Sequence, residues 1–384
     1  MNTTPRSNIS STCAAFGVGY MGYMFMPSQL SDLANRFQLS EADIGLIGSL
    51  QLTAVAVSLF ILSFGKNKLP VFPVIIAGCV IVILAYFVTA LATEFATVKL
   101  SMTLAGLGMG CAIFAGNSGI AAAKSPERVF ALGLATHQFI AALMIVLLVP
   151  ALASSLTGFN AHMILAVWSS VMLLLIFFSG KINHQPPVPV TFTRLPVLYA
   201  LPALPLFFLG FGDASVWPFT GEIGARVGML PQDIANVQGG ALIAGIIGTL
   251  LAGLLANFSG RLFLFAAASV LGAGFYYFVL NGETAAIYAG AQIGALFTYG
   301  FFIPFYFAIC AHRDQSGRLM SVASGLQMIG LAIAPWLAGI FYAAQGPVFL
   351  GMLVLLCLLS ALGIALFVQF SGAAAGQMIS ASDD

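Results

Sequence analysis

Charged side chains are scarce in this sequence of 384 residues: Asp, Glu, Lys and Arg make up only 7% of it, against about 25% in soluble domains. Hydrophobic residues make up 60%. So few charges cannot cover a surface that faces water, and no polar stretch is long enough to fold as a separate domain. The composition therefore excludes a soluble globular protein and indicates an integral membrane protein whose partner is the lipid bilayer.

The residue types that build other kinds of site are also few or scattered. Net charge is +1, and the Lys and Arg residues lie between apolar runs, so we expect no nucleic-acid partner. The five cysteines have no paired spacing and the four histidines no zinc-like spacing, which argues against a disulfide framework and a metal site. A phosphate-binding Gly-x-x-x-x-Gly-Lys-Ser/Thr loop is missing. We expect no metal, no cofactor and no enzymatic activity.

Long apolar segments are what the sequence does contain, and they predict an all-α protein with twelve transmembrane helices. A membrane-spanning helix needs about 20 mainly apolar residues, because its backbone must satisfy its own hydrogen bonds in hydrocarbon. The segments, called spans 1 to 12, cover residues 12–34, 43–64, 70–92, 98–122, 129–154, 160–180, 196–220, 233–256, 262–280, 284–310, 318–343 and 346–370.

Two six-helix halves are predicted by one polar linker and an internal repeat. The Pro-rich segment KINHQPPVPVTFTR, residues 181–194, separates span 6 from span 7. A gapless shift of 190 positions aligns several polar residues: Asp32 with Glu222, Arg36 with Arg226, Asp43 with Asp233, Asn67 with Asn257 and Arg128 with Arg318. We therefore predict two pseudo-symmetric six-helix bundles, 1–180 and 196–384, joined by a cytoplasmic linker at 181–195. Carriers use such parallel repeats for alternating access.

At this point the sequence resembles the major facilitator superfamily over nearly its whole length. That family's loop between spans 8 and 9 carries Gly, three residues, an acid, two residues and Gly-Arg; here Gly253-Leu-Leu-Ala-Asn257-Phe-Ser-Gly260-Arg261 has Asn in place of the acid. The copy between spans 2 and 3, Ser63-Phe-Gly-Lys66-Asn67-Lys68, lacks both the acid and Gly-Arg. The resemblance implies gating-loop roles for Asn67, Asn257, Gly260 and Arg261, and the departures weaken the usual inward latch.

Other matches and departures narrow the resemblance. Residues 216–224, VWPFTGEIG, look like a span 7 pattern of poorly characterised bacterial members. The Arg that many proton-coupled members carry early in span 4 is missing, and so is the Gly-Pro signature of drug antiporters in span 5. In the family, spans 1, 4, 7 and 10 line the central cavity, so the resemblance implies these substrate-cavity candidates: Tyr23, Asn117, Trp217, Gln292 and Tyr299.

Two titratable residues are candidates for proton coupling. Asp213 is the one carboxylate well inside a span, where an ionised Asp costs about 2.5 to 3.5 kcal/mol on insertion scales. The alternative is a structural Asp near the membrane interface. His137 lies near the midplane in span 5, and the 190-residue shift aligns it with Gln327, which we add to the substrate-cavity set. A proton relay and a simple interhelical hydrogen bond are both open for His137.

The function that these features predict is secondary active transport of a small organic solute by alternating access, coupled to protons. The absence of Lys and Arg deep in the spans favours a solute that is uncharged or of limited charge. The alternatives are a multidrug-type exporter of the same fold and a transporter-like sensor that does not transport. We expect a monomer in the bacterial inner (plasma) membrane.

Orientation follows from the distribution of Lys and Arg, which are retained on the cytoplasmic side of short loops. If the N-terminus is cytoplasmic, ten of the thirteen Lys and Arg residues lie on the cytoplasmic side. The other three, Arg36, Lys99 and Arg226, lie on the outer side. Both termini are therefore predicted to be cytoplasmic. Reporter fusions at Asp384 and near Gly158 should report opposite sides of the membrane, and a result on the same side would refute this topology.

Overall fold

The fold is helical throughout the part of the chain that the structure, a computed structural model, describes: residues 9–64, 70–121, 126–148, 160–180, 200–255, 258, 260–313 and 318–380. We call the residues up to 180 the first half and those from 200 onwards the second half. The first half contains α1 (Ile9–Met24), α2 (Met26–Phe37), α3 (Glu41–Phe64), α4 (Val71–Leu91), α5 (Phe95–Ala121), α6 (Pro126–Leu143) and α7 (Ala161–Ser179). A π-helical turn, Met144–Leu148, continues α6.

The second half contains α8 (Leu204–Ala214), α9 (Thr220–Arg226), α10 (Pro231–Leu254), α11 (Arg261–Asn281), α12 (Ala285–Arg313) and α13 (Arg318–Ser380). Short 3₁₀ turns precede and follow α8, at Leu201–Ala203 and Trp217–Phe219. The helix α13 covers spans 11 and 12, and its backbone turns at Gly346, where φ is 79°.

Eight helices of the described chain are long and apolar enough to cross a membrane. The difference from twelve has a structural cause. Span 1 is broken near its middle and span 7 near its end, span 5 changes from α to π geometry, and spans 11 and 12 join in α13. The prediction of an all-helical membrane protein is confirmed. The interruptions could not be predicted, because the apolar composition of a span does not reveal where its helix is broken.

The same local structures recur 190 residues apart. Helix α2 ends at Gln38, a left-handed residue with φ 52°, and α9 is followed by Gly228 with φ 81°. In each half the next amide closes the turn, from Leu39 N to Ala34 O at 3.2 Å and from Met229 N to Gly224 O at 3.1 Å. These are the helix-ending hydrogen bonds that a left-handed residue allows.

Equivalent arginines cap equivalent helices. Arg36 donates to Ala90 O at 3.2 Å and to Ala92 O at 2.9 Å, at the end of α4. Arg226 donates to Leu280 O at 2.5 Å, at the end of α11. In each case a guanidinium donates to carbonyls of the last helical turn and complements the negative end of the helix dipole. The matched sequence pairs therefore correspond to matched structural roles.

Among the described residues, contacts between the halves are concentrated at one end of the molecule, where α2 and α9 end and α3 and α10 begin; we call it the α2 end. Helix α3 packs on α13 there, with Gly45 and Gly339 allowing the two backbones to meet. Ser49 Oγ accepts a hydrogen bond from Trp336 N at 2.9 Å. On the other side, Gln232 Nε2 donates to Val146 O at 3.1 Å in the π-helical turn.

Close packing inside the first half depends on glycine, which gives a stability prediction. A methyl group at Gly106 of α5 would lie 2.8 Å from Ala54 Cβ and would also meet Gln51 O of α3, whereas one at Gly290 of α12 would meet nothing within 4 Å. We expect Gly106→Ala to destabilise the folded state by about 1 to 3 kcal/mol, as overpacking does. Thermal unfolding of detergent-purified protein measures this.

The matched control is Gly290→Ala, which adds the same methyl group to a helix where it has room. It should leave the melting temperature unchanged or raise it slightly, because Ala has the higher helix propensity. Equal melting temperatures for the two variants would contradict the packing described for α3 and α5.

Candidate functional site

The break in span 1 follows from Pro27, the second residue of α2. Proline has no amide hydrogen to donate four residues back, and it clashes with the carbonyl there. The carbonyl that Pro27 leaves without a helical donor is that of Tyr23. Trp217 of the second half fills this gap, because its indole Nε1 donates to Tyr23 O at 3.0 Å. A proline in one half thus creates the acceptor that a tryptophan of the other half uses.

Asp213 lies in the last turn of α8, next to the break in span 7, and is 5% exposed. Its two carboxylate oxygens accept hydrogen bonds from two phenols: Oδ2 from Tyr23 at 2.5 Å and Oδ1 from Tyr276 at 2.6 Å. A carboxylate oxygen accepts such bonds, and a phenol is a suitable donor to it. The carboxylate is therefore solvated by the protein, and one of its two donors belongs to the opposite half.

Tyr23 and Asp213 are 190 residues apart, so they occupy equivalent positions in the repeat. A direct bond between two equivalent positions must lie close to the axis that relates the halves. The tyrosines Tyr86 and Tyr276 are a second equivalent pair. Tyr276 bonds Asp213, whereas Tyr86 accepts from Gln51 Nε2 at 3.0 Å. The halves share one scaffold around the axis, but only the second places a charge there.

Two further predicted cavity residues extend the site. Tyr299 of α12 lies close enough to Asp213 to interact with it electrostatically, and its hydroxyl accepts from Gln327 Nε2 at 3.3 Å. The Tyr299 ring packs edge-on against Phe302, with centroids 5.7 Å apart. Four elements, α1, α8, α11 and α12, thus converge on one carboxylate, and α13 supports them through Gln327.

His137 lies apart from this site. It is buried in α6, and its ring nitrogen Nδ1 bonds Gly133 O of the same helix at 2.6 Å. The ring packs against Gly17 of α1 and edge-on against Trp168, with centroids 6.4 Å apart. Among the described residues, no hydrogen bond or ion pair joins His137 to Asp213. The two candidates for proton coupling are therefore separate groups.

The remaining predicted residues occupy varied positions. Asn117 is exposed near the end of α5. Gln292 of α12 is 1% exposed, and neither of its amide atoms has a hydrogen-bond partner within the described ranges. Gly260 precedes α11 as its N-cap and Arg261 is its first residue. Asn67 and Asn257 lie outside the residues that the structure describes.

Tyr276 is the site residue that the sequence reasoning missed. A usable signal was present, because the shift of 190 aligns it with Tyr86, and a tyrosine repeated within two apolar spans is a specific match. Two glycines, Gly210 and Gly212, lie beside Asp213 in the sequence. The structure assigns them to helix packing: Gly210 faces Gln327 and Gly212 faces Leu358, both of α13.

A second acidic group lies between the halves at the α2 end. Glu222 of α9 is two residues beyond span 7, and it faces Ser31 and Glu41 of the first half. Burial raises the pKa of the Glu222 carboxyl above its ordinary value; the Ser31 hydroxyl opposes the rise and the negative charge of Glu41 adds to it. No ion pair joins Glu222 to Arg226 in the described structure, although their spacing suggests one.

Comparison with known proteins identifies the architecture. No family model and no curated protein matches the sequence. Among solved structures, the chain is similar to a bacterial homolog of the human lysosomal transporter Spinster in its inward-facing conformation. The TM-score is 0.63 with 12% identity for the unoccupied form and 0.64 with 13% identity for the occupied form. Each match covers 94% of both chains. It is also similar to the major facilitator superfamily transporter FucP in the outward conformation, at TM-score 0.63 and 16% identity over 94% of this chain and 97% of that one. At these identities the likeness establishes the fold, and the chain has the fold of the major facilitator superfamily transporters.

Proposed function

We propose that the protein is a secondary active transporter that moves a small organic solute across the membrane by alternating access, coupled to protons through Asp213. The fold supports membrane transport in general terms. The single observation that carries the finer proposal is the buried Asp213 carboxylate, which accepts one phenol hydrogen from each half of the chain. His137 then has a packing role.

Protonation of Asp213 would change the bond between the halves. An ionised carboxylate only accepts hydrogen bonds, so both Tyr23 and Tyr276 can donate to it. A protonated carboxyl carries its own O–H and has less acceptor capacity, so it holds the two phenols less strongly. Hydrogen bonds to a charged acceptor are also about twice as strong as neutral ones. Proton binding therefore weakens a contact that crosses from one half to the other.

The proposed architecture places this site between two six-helix bundles, residues 1–180 and 196–384, joined by the linker 181–195. With both termini in the cytoplasm, the α2 end is the outer end. The contacts of α3 with α13 and of Gln232 with Val146 lie at that end, which fits a form closed to the outside. Gly260 and Arg261, at the start of α11, then belong to the cytoplasmic gating loop together with Asn67 and Asn257.

The sharpest test of coupling is Asp213→Asn, which keeps the shape of the side chain and removes its titration. A solute is first identified by thermal-shift screening, because a ligand of the folded state raises its apparent stability. In proteoliposomes, we expect Asp213→Asn to lose accumulation driven by a pH gradient while it retains solute exchange at least in part. Exchange needs the cavity to change its accessibility with solute bound, but it needs no proton transfer.

Glu283→Gln is the matched control, since Glu283 is an exposed acid between α11 and α12. It should accumulate the solute as the unaltered protein does. Full gradient-driven accumulation by Asp213→Asn would remove the coupling role from Asp213, and the same measurement on His137→Gln would then show whether His137 carries it.

The raised pKa of Glu222 predicts how external pH affects the outer end. Closing this end buries Glu222 beside Glu41 and raises its pKa, so the closed form binds the proton more tightly than an open, hydrated form. Lowering the pH should therefore favour closure. Spin labels at Asn35 and Ala225, both exposed, should show a growing population of short distances from about pH 7.5 to about pH 5.

Glu222→Gln is expected to keep the short-distance population high across this pH range, because it removes both the buried charge and its repulsion from Glu41. Asp233→Asn, an exposed acid at the same end, should retain the pH response of the unaltered chain. A response that survives in Glu222→Gln would show that another group controls the outer end.

A further inference from the structure

We propose that the transported solute is an organic monocation that exchanges for a proton on Asp213, one for one, so that each cycle moves no net charge across the membrane. This inference rests on the proposed function and adds to it the substrate class and the stoichiometry. It begins from a charge that the protein itself leaves uncompensated.

Within the described part of the chain, no Lys or Arg side chain bonds or pairs with Asp213. All thirteen Lys and Arg residues lie in loops or at the ends of spans. Among the described residues, the hydrogen-bond partners of the carboxylate are the neutral phenols of Tyr23 and Tyr276. The two deeply buried histidines are engaged elsewhere, since His137 bonds Gly133 O and His162 faces Asp32 at 3.3 Å. Hydrogen bonds from phenols disperse a negative charge but do not neutralise it.

A buried carboxylate without a cation is costly, so a mobile positive charge stabilises it. A proton and a cationic group of the solute itself can each supply this charge. Both act on the same carboxylate. Once a proton neutralises Asp213, a cation gains nothing there, and a bound cation disfavours the proton. The two ligands therefore compete.

The surroundings of Asp213 also favour a cation over other solutes. The residues around Asp213 include the aromatic rings of Tyr23, Tyr276, Tyr299 and Trp217, and aromatic rings attract an ammonium group. An anion meets the like charge of Asp213 and no basic side chain. A polyhydroxylated neutral solute finds two of the three phenol donors already used, because Tyr23 and Tyr276 donate to Asp213; the Tyr299 hydroxyl accepts from Gln327.

The stoichiometry follows from the single carboxylate. One monocation binds the ionised site from one side of the membrane, the halves change their accessibility, and a proton displaces the cation on the other side. The proton is then carried back and released. One positive charge has moved in each direction, so the net charge transfer is zero and no other reactant is needed.

Binding by purified protein tests the competition directly. The probes are a panel of quaternary ammonium ions, from tetramethylammonium to benzyltriethylammonium, which have no proton of their own to lose, with benzyl alcohol and phenylacetate as neutral and anionic comparisons. We expect one or more of the cations to bind, with a dissociation constant that rises about tenfold for each pH unit below the pKa of Asp213. A pH indicator in weakly buffered solution should report up to one proton released for each cation bound.

Variants assign these effects to Asp213. Asp213→Asn should lose both cation binding and proton release, whereas Asp213→Glu should retain them with an altered pH midpoint. Glu283→Gln should behave as the unaltered protein does. Melting temperatures without ligand establish that each variant is folded. If Asp213→Asn does not fold, the pH dependence and the proton count of the unaltered protein still decide the proposal.

Transport in proteoliposomes tests the stoichiometry. Uptake of a bound cation should follow an imposed pH gradient and stay unchanged when a potassium gradient with valinomycin sets the membrane potential. The proposal is overturned if no cation of the panel binds with proton release, or if uptake responds to the potential. Proton-driven accumulation of a neutral or anionic solute that depends on Asp213 would overturn the substrate class while leaving the proposed function intact.

Discussion

The hydrogen bonds to the Asp213 carboxylate are the interactions on which the centre of the structure depends. Removing an ionised carboxylate from water is unfavourable unless other groups replace its hydration. The chain uses two phenols for this, and they come from different parts of the sequence, Tyr23 and Tyr276. To meet at one point, α1, α8 and α11 must approach the same axis. The glycines that let α8 lie against α13 make that approach possible.

The break in span 1 also contributes to the contacts around Asp213. Pro27 stops the hydrogen-bonding ladder of span 1 just past Tyr23, and the carbonyl that it frees holds Trp217. An unbroken span would bury its backbone groups within itself, and Tyr23 could offer only its side chain. The broken span offers a side chain and a carbonyl, and residues of the second half use both. Irregular backbone at membrane depth is tolerated where, as here, protein groups satisfy it.

Most of the fold could be predicted from the sequence, because length and apolarity dictate membrane helices and a gapless register of polar residues indicates a repeat. The structure adds that the register extends to the backbone, as the turns after Gln38 and Gly228 show. The interruption at Pro27 and the continuity of α13 past Gly346 could not be read from hydropathy. They depend on tertiary contacts and on single dihedral angles. The average hydropathy of a segment of about 20 residues does not change with either.

The candidate site was predictable in part. Asp213 is conspicuous as an acid inside a span, and its depth could be judged only when its partners were known. Tyr276 was missed because tyrosines are common in membrane helices and one residue carries no pattern by itself. His137 and Asp213 looked equivalent as deep titratable groups. They differ in their hydrogen-bond partners: His137 bonds a carbonyl of its own helix, whereas Asp213 accepts a hydrogen bond from Tyr23 of the first half.

The depth of the Tyr23–Asp213 bond, in the middle of span 1, has a mechanical consequence for the proposed rocking of the halves about a line in the membrane plane at that depth. When two bodies rotate about a line, points on that line keep their separation, and displacement grows in proportion to distance from it. Gln38 follows Tyr23 by fifteen residues, which is about 22 Å of helix. A rotation that opens a wide mouth at Gln38 therefore strains the central bond by only a small fraction of that distance. In the proposed rocking motion, protonation of Asp213 would act where the helices move least, and the displacement would be largest at their ends.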